Sequence, residues 1–400
     1  SKDEANQFIA GPAFQAWWLM NNLEGWGGPN SDNWYLQRER LQKQIMKRMK
    51  ELGINACLPG YSGMVPHDAK QRLGLNVADP GKWNDYKRPA FLLPTDKRFA
   101  EIAAIYYKDM QKLYGKAQYY SMDRFQEGVK AGGVDLGKAG EAIMSAMKAA
   151  NPKAVWVAQA WGACPYPDMI KHLKNGDMLV LDLYSETRPQ WGDPESTWLR
   201  KEGFNGHDWA FCMLLNFGSN VGLYGKLQHV VDEYYKARQS KFASTLKGVG
   251  LTMEGIENNP VMYELVSELP WRNNKFGWQE WLNNYVEARY GNINNTKVHD
   301  AWMLLARSVY GASDKVLEQG CHESVLCARP ALDVYQVSSW SEMEEFYNPD
   351  DVIRAAQLMV EASHEVKANA NFRYDLVDIT RQAIAEKARY VYAEIVAAYR

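Results

Sequence analysis

The chain has 400 residues, 46% hydrophobic and 24% charged, with a formal net charge of −2. That is globular composition with apolar side chain enough for about two or three domains, and it excludes a disordered chain. No apolar run approaches the ~18 residues of a membrane-spanning helix and no basic stripe is visible, so neither a membrane nor nucleic acid is an expected partner.

In chain order, Ala13–Trp17 offers a weak first strand, and Asn30, Ser31 and Asp32 offer helix N-caps. Leu41, Ile45, Met49 and Leu52 then recur at helical spacing, with Gly53 as the residue that ends the helix. The apolar run Ile54–Pro59 predicts a strand. Phe99, Ile102, Ala103, Tyr106, Met110 and Leu113 predict a helix closed by Gly115. The alternation continues with strand 119–122, a helix carrying Ala139, Ile143 and Met147, strand 154–158, a short helix near 169–173, strands 178–183 and 209–214, a helix near 227–237 and strand 248–253.

Short apolar strands between amphipathic helices predict a parallel α/β sheet, either a (β/α) barrel or an open doubly wound sheet. No Gly-rich phosphate loop follows any strand, which removes the usual support for the open nucleotide-binding form. From about Asn258 the strand signal fades, and stretches near 278–289, 298–309, 351–363 and 376–399 read as helices. The expected domains are therefore 1–257, a (β/α) barrel, and 258–400, all α. The last helix runs to Arg400 without a stop signal, so this second domain reads as cut in mid-course.

Cys57, Cys164, Cys212, Cys321 and Cys327 show no metal-ligand spacing, and no metal or other cofactor is expected. Cys57 and Cys212 lie in apolar runs and read as buried thiols, while Cys321 and Cys327 flank a polar loop that a disulfide would close. Asn294-Asn295-Thr296 has the spelling of a glycosylation sequon. The histidines show no triad spacing, and a serine-hydrolase elbow is absent.

Polar and aromatic residues gather where the strands end: Asp123 and Glu127, Trp161, Tyr184 and Glu186, Asn216 and Glu254. A barrel builds its active site at that end of the strands. Glu127 and Glu254 each follow a strand among apolar and glycine residues, where partial desolvation tunes a carboxyl. Two carboxyls across one barrel mouth meet the requirement of glycoside hydrolysis, a proton donor and an attacking or water-activating group. Unrelated structural carboxylates are the competing reading. With 15 Trp and 23 Tyr, the chain has aromatic rings to spare for sugar platforms, of which Trp17, Trp26 and Trp161 are candidates, though taken by themselves such residues more often fill a core or a domain interface. Asn216 fits a hydroxyl contact or an Asx-turn. Asp182 and Glu186 fit a substrate contact or a buried structural hydrogen bond.

Several segments together resemble the alpha-N-acetylglucosaminidase family, glycoside hydrolase family 89. They are Gly11–Trp17, Asn22-Leu23 with Trp26 and Gly28-Pro29, Leu58-Pro59 through Gly63, Val65-Pro66, Gln159 with Trp161, and Leu179–Leu183. Cys212-Met213-Leu214 with Asn216-Phe217-Gly218, Glu254-Gly255-Ile256 and Phe372-Arg373-Tyr374-Asp375-Leu376 complete the set. The resemblance runs over essentially the whole chain. It implies an α/β fold with a (β/α)8 TIM-type barrel, here N-terminally truncated with the first strands absent, and then an all-α domain. It also implies an exo-acting, retaining hydrolase that removes terminal α-linked N-acetylglucosamine from a glycan.

On that resemblance, Glu127 in the D-x-F-x-E segment Asp123–Glu127 is the acid/base, and Glu254 before Gly-Ile is the nucleophile. Trp17 and Trp161 match pocket aromatics, Asn216 matches the family's N-F-G turn, and Asn22 and Tyr184 join them as expected substrate contacts. Ser219 and Val221 depart from the family pattern, as does the stretch after Gly128. The resemblance further implies a secreted, periplasmic or lysosomal location and, as partner, the missing N-terminal part of the same protein. Two other classes stay open, a catalytically inactive fragment that keeps a sugar-binding surface and a helical interaction protein.

Overall fold

In the computed structural model the described residues are 31–83, 86–123, 125, 128–215, 220, 222–254, 258–291, 293–313, 324–334, 337, 345–366 and 368–400. They form two compact units. The first holds the described residues up to Asp182 with Gln190–Pro194 and Trp198–Ala210; the second holds Leu183–Pro189, Glu195–Thr197 and the described residues of Phe211–Arg400.

The first unit begins with helix α1, Asp32–Glu51, where the Ser31 side chain accepts the Trp34 N–H and Gly53 follows at φ 72°. The predicted stripe is there, but α1 has no buried residue: Leu41 and Ile45 are 44% and 42% exposed. Strand β1, Cys57–Pro59, is followed by an excursion that the sequence did not announce, a three-stranded antiparallel sheet built from 64–65, 90–92 and 77–78. Helix α2, Lys97–Tyr114, is capped by Asp96 and buries Phe99, Ala103 and Tyr107. Strand β2, Tyr119–Ser121, precedes helix α3, Leu136–Ala150, which is capped by Asp135. Strand β3, Val155–Ala160, then helix α4, Pro167–Ile170, then strand β4, Met178–Asp182, follow in turn. Gly140 of α3 lets α4 come close, since a Cβ there would stand 2.0 Å from the Met169 carbonyl oxygen.

β1 pairs with β2, β2 with β3, and β3 with β4, all parallel. Strand β5, Asp208–Met213, begins in this unit and continues the sheet beside β4. Each strand therefore lies next to its predecessor in the chain, with no reversal of order. A doubly wound sheet reverses at its switch point; a barrel does not. The core of this unit is formed by Leu58, Phe91, Tyr120, Trp156 and Val180 with the inner faces of α2 and α3. Cys57 corrects one expectation: it is exposed, because in a strand of three residues the pleat turns only Leu58 inward.

The second unit receives the end of β5 and pairs it with strand β6, Leu246–Leu251. Cys212 is buried, as expected. Helices α5, Leu227–Gln239, and α6, Pro260–Glu268, belong to this part. The remainder is helical: α7, Trp278–Tyr290; α8, Thr296–Arg307; α9, Pro349–Val366; and α10, Ala370–Tyr399. Helix α10 starts before the expected 376 because the Asn369 side chain accepts the Phe372 N–H and caps it there. Cys327 is a free, exposed thiol, and Cys321 lies outside the described residues. No helix among the described residues is long and apolar enough to cross a membrane.

Candidate active site

In the first unit, two strand exits carry chemistry. Asp123, two residues beyond β2, accepts the Gln159 N–H on Oδ1 at 2.7 Å, which ties the exit of β2 to β3. Burial of the carboxyl pushes Asp123 up to about 7, against the opposing pull of that hydrogen bond. Trp161 directly follows β3, half-buried, and its ring meets Trp198 edge to face at 4.9 Å. Its backbone forms a bridge with Cys164, and Arg200 holds the turn by donating to the Ala163 and Pro165 carbonyls at 3.0 and 2.8 Å. Asp182, the last residue of β4, accepts the Gln190 and Trp191 N–H groups at 2.9 and 3.1 Å. Of its two readings, the structural hydrogen bond is the one the geometry supplies.

In the second unit, three strand exits meet at one hydroxyl. Thr252 Oγ1 lies 2.8 Å from the Leu183 carbonyl and 3.1 Å from the Met213 carbonyl, and its N–H donates to Met213 O at 3.0 Å. Those residues directly follow β4, end β5 and directly follow β6. Two residues past Thr252, the Glu254 side chain is exposed. Tyr184, next after Leu183, is buried. Glu186 is also buried, and its Oε1 accepts the N–H groups of Leu214 and Leu215 at 2.8 and 2.7 Å.

Of the expected site residues, Trp161, Tyr184 and Glu254 are described; Trp17, Asn22, Glu127 and Asn216 lie outside the described residues. Within the second unit, Tyr184 and Glu254 come to strand exits that Thr252 joins. Thr252 was not singled out from the sequence. A threonine just past a strand carries no signal of which carbonyls it will meet, since its partners are 69 and 39 residues away. Among the described residues, no cluster of three or more His, Cys, Asp or Glu could hold a metal ion.

Three buried or half-buried carboxyls give the fold a pH dependence. Burial pushes Asp123 and Glu186 up to about 7, and burial followed by the neighbouring Glu386 pushes Glu345 up to about 8. In the unfolded chain such groups release their protons near pH 4. The folded protein therefore holds protons that the unfolded chain has lost, and this stabilisation fades as pH rises from about 4 through 7–8. Thermal melts should show the midpoint falling between pH 5.5 and pH 8, with a stability change on the order of a few kcal/mol. A midpoint that is flat or rising over that range would refute the assignment.

Residues 1–273 match the family profile described as "Alpha-N-acetylglucosaminidase (NAGLU) tim-barrel domain", and residues 281–400 match "Alpha-N-acetylglucosaminidase (NAGLU) C-terminal domain". The chain belongs to the alpha-N-acetylglucosaminidase family. Its fold is accordingly that of a TIM barrel followed by a helical domain. It is 33% identical to the Homo sapiens alpha-N-acetylglucosaminidase over 99% of this chain and 53% of the human protein. Among solved structures, a family 89 glycoside hydrolase from Clostridium perfringens in complex with PUGNAc has a TM-score of 0.88 at 31% identity, over 100% of this chain and 45% of that one. The same clostridial family member in complex with its substrate GlcNAc-alpha-1,4-galactose has a TM-score of 0.87 at 31% identity, with the same coverage of both chains. This chain spans about half the length of these relatives.

Proposed function

We propose that the protein carrying this chain is an exo-acting, retaining α-N-acetylglucosaminidase, with Glu254 as nucleophile and Glu127 as acid/base. The observation that carries this reading is the exposed Glu254 carboxylate just past β6, on a backbone that the Thr252 hydroxyl ties to two other strand exits. A nucleophile must be reachable and carried on a held backbone, and the exposure of Glu254 and the anchoring of Thr252 two residues earlier support that reading. Family membership adds the substrate class, a glycan ending in α-linked N-acetylglucosamine.

In the proposed reaction, Glu254 attacks the anomeric carbon while Glu127 gives its proton to the leaving oxygen, leaving a glycosyl-enzyme. Glu127, now a carboxylate, takes a proton from water, which displaces Glu254 from the sugar. Trp161 supplies an aromatic face to the ring, and Trp17, Asn22, Tyr184 and Asn216 contact it. The two carboxyl groups are then expected about 5–5.5 Å apart.

Comparing aryl α-N-acetylglucosaminides of graded leaving ability, in wild type and Glu127→Gln, tests the reading. Activated aryl groups depart without a proton, so the variant should lose ~10²–10⁴-fold on poor leaving groups and far less on good ones. A uniform loss across the series would remove Glu127 from the acid role.

A further inference from the structure

We infer that Glu186 is a positioning residue for the sugar site: it fixes the exit of β5 by holding two successive main-chain N–H groups on one carboxylate oxygen. This rests on the glycosidase reading given above.

Glu186 is 2% exposed, and Leu214 and Leu215 donate to its Oε1. Leu215 stands at φ 60°, in the left-handed region that bulky side chains avoid. Such a conformation is strained and persists only where its surroundings over-determine it. Here they do, since the Leu215 side chain is itself buried and its N–H is claimed by a carboxyl. Leu215 directly precedes Asn216 in the sequence, and Tyr184 lies two residues before Glu186; both are expected substrate contacts.

Glu186 is fixed from its own side as well. Ser185 N donates to Cys212 O at 3.0 Å, and Thr187 Oγ1 accepts from the buried Lys226 ammonium at 3.1 Å. Thr252 ties Leu183 of the same segment. Glu186 Oε2 is buried without a hydrogen-bond partner among the described residues. Half of a buried carboxyl is thus left unsatisfied among the described residues, which costs stability. A residue needed for packing alone would be better replaced by an apolar one. What an apolar side chain would not provide is the acceptor at Oε1 for the Leu214 and Leu215 N–H groups.

Two variants separate reach from charge. Glu186→Asp keeps the charge beside Lys226 but is one methylene short of the two N–H groups. Glu186→Gln keeps an acceptor oxygen at full reach and drops the charge. PUGNAc affinity, by calorimetry on the intact protein, should weaken ~10-fold or more in Glu186→Asp and stay within ~3-fold of wild type in Glu186→Gln, each variant checked by a cooperative melt. The reverse pattern would mean that charge at Lys226 matters rather than the turn, and would overturn the inference. Equal effects of the two variants, or none, would overturn it too, with the glycosidase reading intact. A wild-type protein that fails to bind PUGNAc would instead sink that reading, and the inference with it.

Discussion

Glu254→Ala is expected to abolish turnover, with kcat/KM falling at least ~10⁴-fold on every substrate, good leaving groups included. The reason is chemical. Without an attacking carboxylate no glycosyl-enzyme forms, and protonating the leaving group cannot compensate. Because the Glu254 side chain is exposed and its strand exit is anchored by Thr252 two residues earlier, truncation should leave the fold in place. A melt unchanged to within about 0.5 kcal/mol separates loss of chemistry from loss of structure. Azide should enter the space the side chain vacates and give a β-glycosyl azide. Residual activity within ~10-fold of wild type would remove Glu254 from the mechanism.

Asp375→Ala destabilises the protein by about 3–5 kcal/mol. Asp375 is 4% exposed and receives Arg289 Nε and Nη2 at 2.5 and 2.8 Å and the Tyr290 hydroxyl at 2.6 Å. Trp302 Nε1 donates to the same Tyr290 hydroxyl at 2.9 Å, so one carboxylate on α10 anchors groups from α7 and α8. Alanine would leave a guanidinium nearly buried, with the exposed Glu264 at 3.7 Å as its remaining carboxylate among the described residues. Arg289→Met in the same background should recover part of the loss, because an apolar side chain needs no partner. Urea unfolding checks both. A cost below about 1 kcal/mol for Asp375→Ala would show that the network is not holding these helices.

Much of this was legible in the sequence, where the signals were local. The βα alternation is legible because the strands are short apolar runs between helices; Ser31 caps α1, as the sequence suggests, and Gly115 ends α2. The 64–92 excursion carries no sequence signal because strands of two or three residues show no period. Helix α10 begins before its apolar stripe at 376 because the Asn369 cap stands ahead of that stripe. Phe372 and Asp375 enter the sequence reading through the family likeness, and their physical roles, a buried ring and a buried anion, come from contacts with distant helices. Glu186 shows the limit most clearly: its partners lie 28 and 29 residues away, on main-chain atoms that no sequence pattern marks.

In the proposed mechanism two carboxyl groups carry out two successive displacements at one anomeric carbon. Proton NMR during hydrolysis of an aryl α-N-acetylglucosaminide reads the configuration of the sugar as first released. Double displacement gives α-N-acetylglucosamine initially, with the β form appearing only as mutarotation proceeds. Release of the β anomer first would mean a single displacement by water and would contradict the roles given to Glu254 and Glu127.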